Sequence, residues 1–195
     1  MISGPRRSST SSSGAWVCHC SSSRPAAVPA LGAAAAHSAA DLAAAVVGCF
    51  GYGDTALIER LVSGTEIAVG VIDLGEGPRA LPAVEIVAPG GTYDYAARYT
   101  AGQSEFYVPA RLPDAIGEKA AQVAVTAHTA LGLRDISRTD LIVDGTGGVH
   151  FLEVNVASGM TSTGTLPMAM RAAGLDLGTC CVTLLELAAG RVSWR

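Results

Sequence analysis

Between residues 138 and 155 the chain reads RTDLIVDGTGGVHFLEVN: two apolar runs joined by a glycine-rich turn, with Arg138 and Asp140 near the start of one and Glu153 and Asn155 at the end of the other. If the turn is Asp144–Gly148 and centres near residue 146 or 147, an antiparallel hairpin brings Asp140 opposite residues 153 to 154. Side chains alternate along a strand, so Arg138 and Asp140 share one face of theirs, and Glu153 and Asn155 share one face of theirs. Where both pairs face the same way, two carboxylates, an amide and a guanidinium converge at the open end of the hairpin. Leu141, Val143, Leu152 and Val154 then point to the opposite, packed face.

An all-oxygen set of this kind suits a hard cation such as Mg2+ or Mn2+, which completes its octahedron with waters and phosphate oxygens in preference to more protein. Arg138 beside it is placed to neutralise charge on a transferred phosphoryl group. The same residues also fit a solvated hairpin end closed by an ion pair, and spacing alone leaves both readings open.

The elements that must hold these residues come from a chain of 195 residues, 49% apolar, enough for one medium domain with a real core or for part of a larger protein. A net charge of −4 provides no basic face for phosphate-backbone contact, so nucleic acid is not an expected partner. No apolar run reaches the roughly 18 uncharged residues of a membrane span, and the start lacks a secretory pattern, so the expected location is the cytoplasm. The five cysteines are too scattered for a disulfide framework, and CHC at Cys18–Cys20 has no second cluster at metal-ligand spacing. His37, His128 and His150 are expected on the surface or on helices.

Residues 1–36 are Ser, Arg, Pro and Ala without hydrophobic period, which predicts a disordered tail; an ordinary flexible extension and a stretch read out of frame are both open. Residues 37–191 form the expected domain. Ser38 caps a short helix with Leu42, Ala45, Val46 and Cys49 on one face, and TALIERLV, TEIAVGVIDL and RALPAVEIVA predict an antiparallel meander of strands. Pro113 and Asp114 open a longer helix with Ile116, Ala120, Val123, Ala127 and Leu131 on one face, closed by Gly132. The hairpin follows, then two helices, around 166–173 and 178–189.

The blocks GTEIAVGVI, RTDLIVD and FLEVNVASGMTSTGTLPMA, in that order along the chain, resemble the carboxy-terminal half of the D-alanyl-D-alanine ligases of the ATP-grasp superfamily, from about Leu31 to Arg191. The resemblance implies an α+β fold, the carboxy-terminal ATP-grasp domain, with an antiparallel sheet flanked by helices. It implies ATP and Mg2+ (or Mn2+) as cofactors, D-alanine as substrate, and a place in peptidoglycan precursor synthesis. Phosphorylation of one D-alanine carboxylate by ATP is followed by attack of a second D-alanine's amine on the acyl phosphate. By the same resemblance Asp140, Glu153 and Asn155 match the metal ligands, and Arg138 an arginine on the phosphates and reacting centre. Glu66 matches the acid on the ATP ribose, and Glu59, Arg60, Leu61 and Val62 the segment against adenine. In YDYAARY, Arg98 stands where a lysine is common and Tyr99 at the substrate-facing tyrosine, and Gly159 matches a glycine whose N–H stabilises an oxyanion.

The chain departs from the family pattern at Gly164, where a serine binds the second D-alanine's carboxylate, and at Ser158, where a proline stiffens the turn. Its one lysine, Lys119, is expected on a helix away from the site, and ALGAAAA resembles the tail of the family's glycine-rich phosphate loop. Read this way the chain is a fragment, either a ligase half that pairs with a complementing amino-terminal half or a second copy, or a catalytically silent remnant; a related ligase with another acceptor is a further alternative. Phosphoryl transfer rests on positioning and charge neutralisation, so without phosphate-binding lysines the purified chain is expected to make no measurable D-alanyl-D-alanine from ATP, Mg2+ and D-alanine. D-alanine-dependent phosphate release by the chain alone, abolished by Glu153→Gln, contradicts this.

Overall fold

Ser38 starts the first helix as its position predicts. Its hydroxyl accepts a hydrogen bond from Asp41 N (3.1 Å) while Asp41 Oδ2 accepts one from His37 N (3.1 Å), a reciprocal cap that satisfies two backbone donors at the start of helix α1, Ala39–Cys49. The computed structural model describes residues 15–21, 34–53, 55–87, 104–161 and 163–191, which fall into two units dividing after Leu61. In the first, strands β1 (Trp16–Ser21), β2 (Ala34–Ala36) and β3 (Thr55–Arg60) form an antiparallel sheet in the order β2-β1-β3, and Cys18, Ala45 and Cys49 are buried between it and α1.

Two expectations change here. Residues 16–21 lie in the segment expected to be a disordered tail, yet β1 pairs with β3 along its whole length, from Trp16↔Arg60 to Ser21↔Thr55. That pairing takes β3 out of the expected meander, because its ladder partner is β1 and not the strand that follows it. The remainder of 1–36, apart from Ala15 and β2, lies outside the described residues.

The second unit is built on β4, Thr65–Ile72, whose residues from Ile67 to Ile72 are all buried. It pairs antiparallel on one side with β5 (Arg79–Ala80) and β6 (Val84–Val87), two parts of one interrupted return, and on the other with β8 (Ile136–Val143). Strand β7, Glu105–Tyr107, adds to β6, and β9, Val149–Asn155, adds to β8, giving the order β7-β6-β4-β8-β9. Helices α2 (Asp114–Ala130), α3 (Thr165–Ala172) and α4 (Leu177–Arg191) complete an α+β unit. Among the described residues no single helix is long and apolar enough to cross a membrane.

Strand alternation sorts the core into two layers. Ile67, Val69, Val71, Leu141 and Val143 meet Ala120 and Ala124 of α2 on one face, while Ile72, Val84 and Leu81 meet Leu166, Ala169 and Met170 of α3 on the other. Helix α3 approaches closely because Gly70 has no side chain: a Cβ there would lie 2.7 Å from Leu166 Cδ1. The opening and closing of α2 follow the sequence reading, with Pro113 preceding it and Gly132 at φ +62 after it. Its buried line, however, is Ala120, Ala124 and His128, and Leu131 is exposed. His128 is not a surface histidine: Ser137 Oγ is 2.8 Å from Nδ1, which satisfies the ring inside the core, and burial lowers its pKa.

The hairpin turn is tied by Asp144, whose carboxylate accepts from Thr146 N, Thr146 Oγ1 and Gly148 N (2.8, 2.6 and 2.9 Å) and meets His150 Nε2 at 2.6 Å. His150 and then Thr146 hold its pKa well below the usual aspartate value. Truncating Leu166 to Ala should cost about 2–5 kcal/mol in urea unfolding, the range for a buried leucine. Acidification should weaken the fold in two windows. With a folded pKa below the unfolded value, neutral His128 stabilises above about pH 6.5 and that contribution fades below it; Asp144 stabilises above about pH 3.9 and fades as pH falls further. Unfolding midpoints measured against pH should lose the upper step in His128→Gln and the lower one in Asp144→Asn.

Candidate functional site

The ladder between β8 and β9 pairs Arg138 with Asn155 and Asp140 with Glu153, so the four residues singled out by type and spacing stand in two adjacent cross-strand pairs on one sheet face. The register reaches this arrangement through an irregularity. At the turn end Val143 pairs with Val149 and Leu141 with Phe151; continued unbroken, that register would set Asp140 opposite Leu152 and turn Glu153 to the α2 face. A β-bulge between Asp140 and Leu141 takes up Leu152 as an extra residue and delivers Glu153 to Asp140. Leu152 therefore leaves the packed face expected for it, and is 47% exposed.

Ala68 of β4 pairs with Asp140 from the other side, and Glu66, two residues earlier, shares its face. Helix α3 covers the neighbouring part of this face through Leu166 over Gly70, the residue that pairs with Arg138. Asp140 is 7% exposed and is gripped by Arg138 in a two-point ion pair, Nε to Oδ1 and Nη2 to Oδ2, both 2.7 Å. Asn155 Oδ1 accepts from Ala157 N at 3.0 Å, which turns the chain out of β9. These contacts leave donor capacity: a carboxylate has about four lone-pair sites and an amide oxygen two, so both Asp140 oxygens and Asn155 Oδ1 each keep one. Among the described residues no three His, Cys, Asp or Glu side chains form a metal group; Asp140, Glu153 and Asn155, neighbours in the ladder, supply the two carboxylates and the amide that could serve a hard cation.

The other expected residues divide. Glu59 and Arg60 end β3 in the first unit, where Leu61 N donates to Ala15 O (3.0 Å), and Val62 begins the second unit. Arg98 and Tyr99 lie outside the described residues. Gly159 is exposed in the loop from β9 to α3. Lys119 belongs to α2, which packs on the opposite face of the sheet, as expected. The sequence reading missed Ser158 and Thr165 as polar groups of interest: their hydroxyls are buried and have no hydrogen-bond partner among the described residues. The signal available was position, since they flank the loop that carries Gly159 and Gly164. Gly164 is required by close approach, because a Cβ there would run into the Gly159 carbonyl oxygen, with Thr161 O only 3.2 Å away.

Removing one member of a buried ion pair leaves the other charged and desolvated. With side chains only 14% and 9% exposed, Arg138→Met should cost about 3–5 kcal/mol in chemical unfolding, and adding Asp140→Leu should recover most of it. A loss that the second substitution does not recover would show that Arg138 stabilises the fold through contacts other than Asp140.

The family model described as D-ala D-ala ligase C-terminus matches residues 25–186. The chain is 39% identical over 158 residues to a D-alanine–D-alanine ligase of Pelotomaculum thermopropionicum, covering 81% of this chain and 49% of that one. It is 39% identical over 141 residues to the Bordetella petrii ligase, covering 72% and 43%. The chain thus spans about half the length of the curated relatives it matches. The solved VanG D-Ala:D-Ser ligase from Enterococcus faecalis superposes with a TM-score of 0.74 at 28% identity, over 88% of this chain and 49% of that one. D-alanyl-alanine synthetase A from Vibrio cholerae gives a TM-score of 0.75 at 22% identity, over 89% and 52%, a likeness of fold. With a family model spanning most of its length and a carboxylate-lined sheet where that family's blocks fall, the chain belongs to the D-alanine–D-alanine ligase family, of which it carries the carboxy-terminal domain.

Proposed function

We propose that this chain supplies the nucleotide- and metal-facing sheet of an ATP-dependent ligase that joins two D-alanine molecules. The observation that carries the proposal is the direct pairing of Asp140 with Glu153, flanked by Arg138 and Asn155, in a member of this family. A divalent cation held by Asp140, Glu153 and Asn155 would offset charge on the phosphate oxygens of ATP. Asp140 fixes the plane of the Arg138 guanidinium through two hydrogen bonds, which in this reading sets the cation beside the phosphates of ATP.

Glu66, on the same face, accepts hydrogen bonds from the ribose hydroxyls in this reading, and Glu59–Val62 meets adenine through its backbone. Gly159 N–H faces the oxyanion that forms when an amine adds to the acyl phosphate, and Arg98 and Tyr99 belong to the loop that closes over the site. The buried hydroxyls of Ser158 and Thr165, unpartnered among the described residues, support a polar ligand beside that loop. The substrates place the reaction in the cytoplasm, and the partner is a second copy or a complementing amino-terminal half.

Calorimetric titration of the chain with ATP should show binding that requires Mg2+ or Mn2+ and disappears with a chelator. Glu153→Gln should weaken it at least about tenfold, or 1.4 kcal/mol. ATP binding of equal strength in both proteins, or binding indifferent to the metal, contradicts the proposed roles.

A further inference from the structure

Cys18 and Cys49 have no part in the ligase reading, yet their two thiols stand side by side inside the first unit. Their sulfurs lie 3.1 Å apart and both residues are 0% exposed. Cys18 sits in the middle of β1 and Cys49 is the last residue of α1, so the contact joins the sheet of the first unit to the end of its helix. Small side chains surround it: Ala34, Ala45, Val46 and Ala56 pack against the pair. At the helix terminus, where the backbone passes into the turn at Phe50 and Gly51, Cys49 can close on Cys18 without bending a helix interior.

We propose that Cys18 and Cys49 form an oxidisable dithiol, a site where a low-molecular-weight disulfide drives an internal Cys18–Cys49 bond. When local opening at the end of α1 exposes one of the two sulfurs, that cysteine, as thiolate, attacks the reagent's disulfide and expels one reagent thiol, leaving a mixed disulfide on the protein. The second attacks that protein sulfur and expels the other reagent thiol. The two protein thiols lose two electrons and two protons, and the reagent is reduced to two thiols. The bond ties β1 to the carboxy-terminal end of α1 and closes a loop from residue 18 to residue 49. It also fixes α1 against β2, where His37, Asp41, Gly48 and Tyr52 line an open groove. Cys180 belongs to the other unit and is buried among the residues of the α3 layer.

The test equilibrates the full chain in glutathione buffers of graded oxidised-to-reduced ratio, quenches it, alkylates remaining thiols and weighs the products. The expected product has lost two alkylatable thiols and the mass of two hydrogens, carries no glutathione, and yields a peptide joining Cys18 to Cys49. Because the bond forms between groups that folding already holds together, the native chain should reach half-oxidation at an oxidant ratio about 100-fold or more below that of the urea-unfolded chain. Cys18→Ala and Cys49→Ala should each abolish the product, while Cys20→Ala and Cys180→Ala retain it. Equal ratios for native and unfolded chain, a Cys18–Cys20 link, or glutathione adducts alone would overturn the proposal; the wild-type comparison decides even where a variant fails to fold.

Discussion

The register of β8 against β9 is the constraint on which the site depends. Side chains alternate with period two, so a slip of one residue exchanges everything on one sheet face with everything on the other. Between Asp144 and Gly148 the turn sets a register that, left alone, would bury Glu153 against α2 and set Leu152 beside Asp140. The bulge at Leu152 reverses this within one residue and keeps Val149 in the α2 layer, so packing and chemistry are both served by one hairpin. An exposed leucine on β9 is the visible cost of the arrangement.

Around that hairpin the sheet separates its two tasks by face. The α2 face is closed by aliphatic residues and a neutral, hydrogen-bonded His128, and holds β8 rigidly through Leu141 and Val143. The other face is closed by α3 over Gly70 and Ile72, and polar where Glu66, Arg138, Asp140, Glu153 and Asn155 gather. A carboxylate as buried as Asp140 needs an opposite charge, and Arg138 provides it from the same strand. The same ion pair fixes the plane of the guanidinium, so the fold's need to neutralise Asp140 also sets the position of Arg138.

What could be read from the sequence was local. The Ser38 cap, the Pro113 start and Gly132 end of α2, and the Asp144–Gly148 turn are set by neighbours within four residues, and each stands as expected. The convergence of Asp140 with Glu153 followed from the turn and from alternation, and its match to a ligase family from the motif blocks; the bulge did not, because no glycine or proline marks it. Strand β1 escaped for the opposite reason. WVCHC sits among serines, and its partner β3 is some forty residues away, so only the folded ladder reveals it. His128 stands on a helix, as expected, but its burial was not legible, because the Ser137 hydroxyl that satisfies it inside the core comes from the following strand.

The central claim is that Asp140, Glu153 and Asn155 present their oxygens together on the face away from α2. Backbone amide NMR with substoichiometric Mn2+ and ATP tests it most directly, because paramagnetic broadening falls steeply with distance from the ion. The account predicts that signals of residues 138–140 and 153–155 are lost first while those of 120–128 in α2 persist. Broadening centred on the Asp144–His150 turn, or spread evenly over the chain, would contradict it.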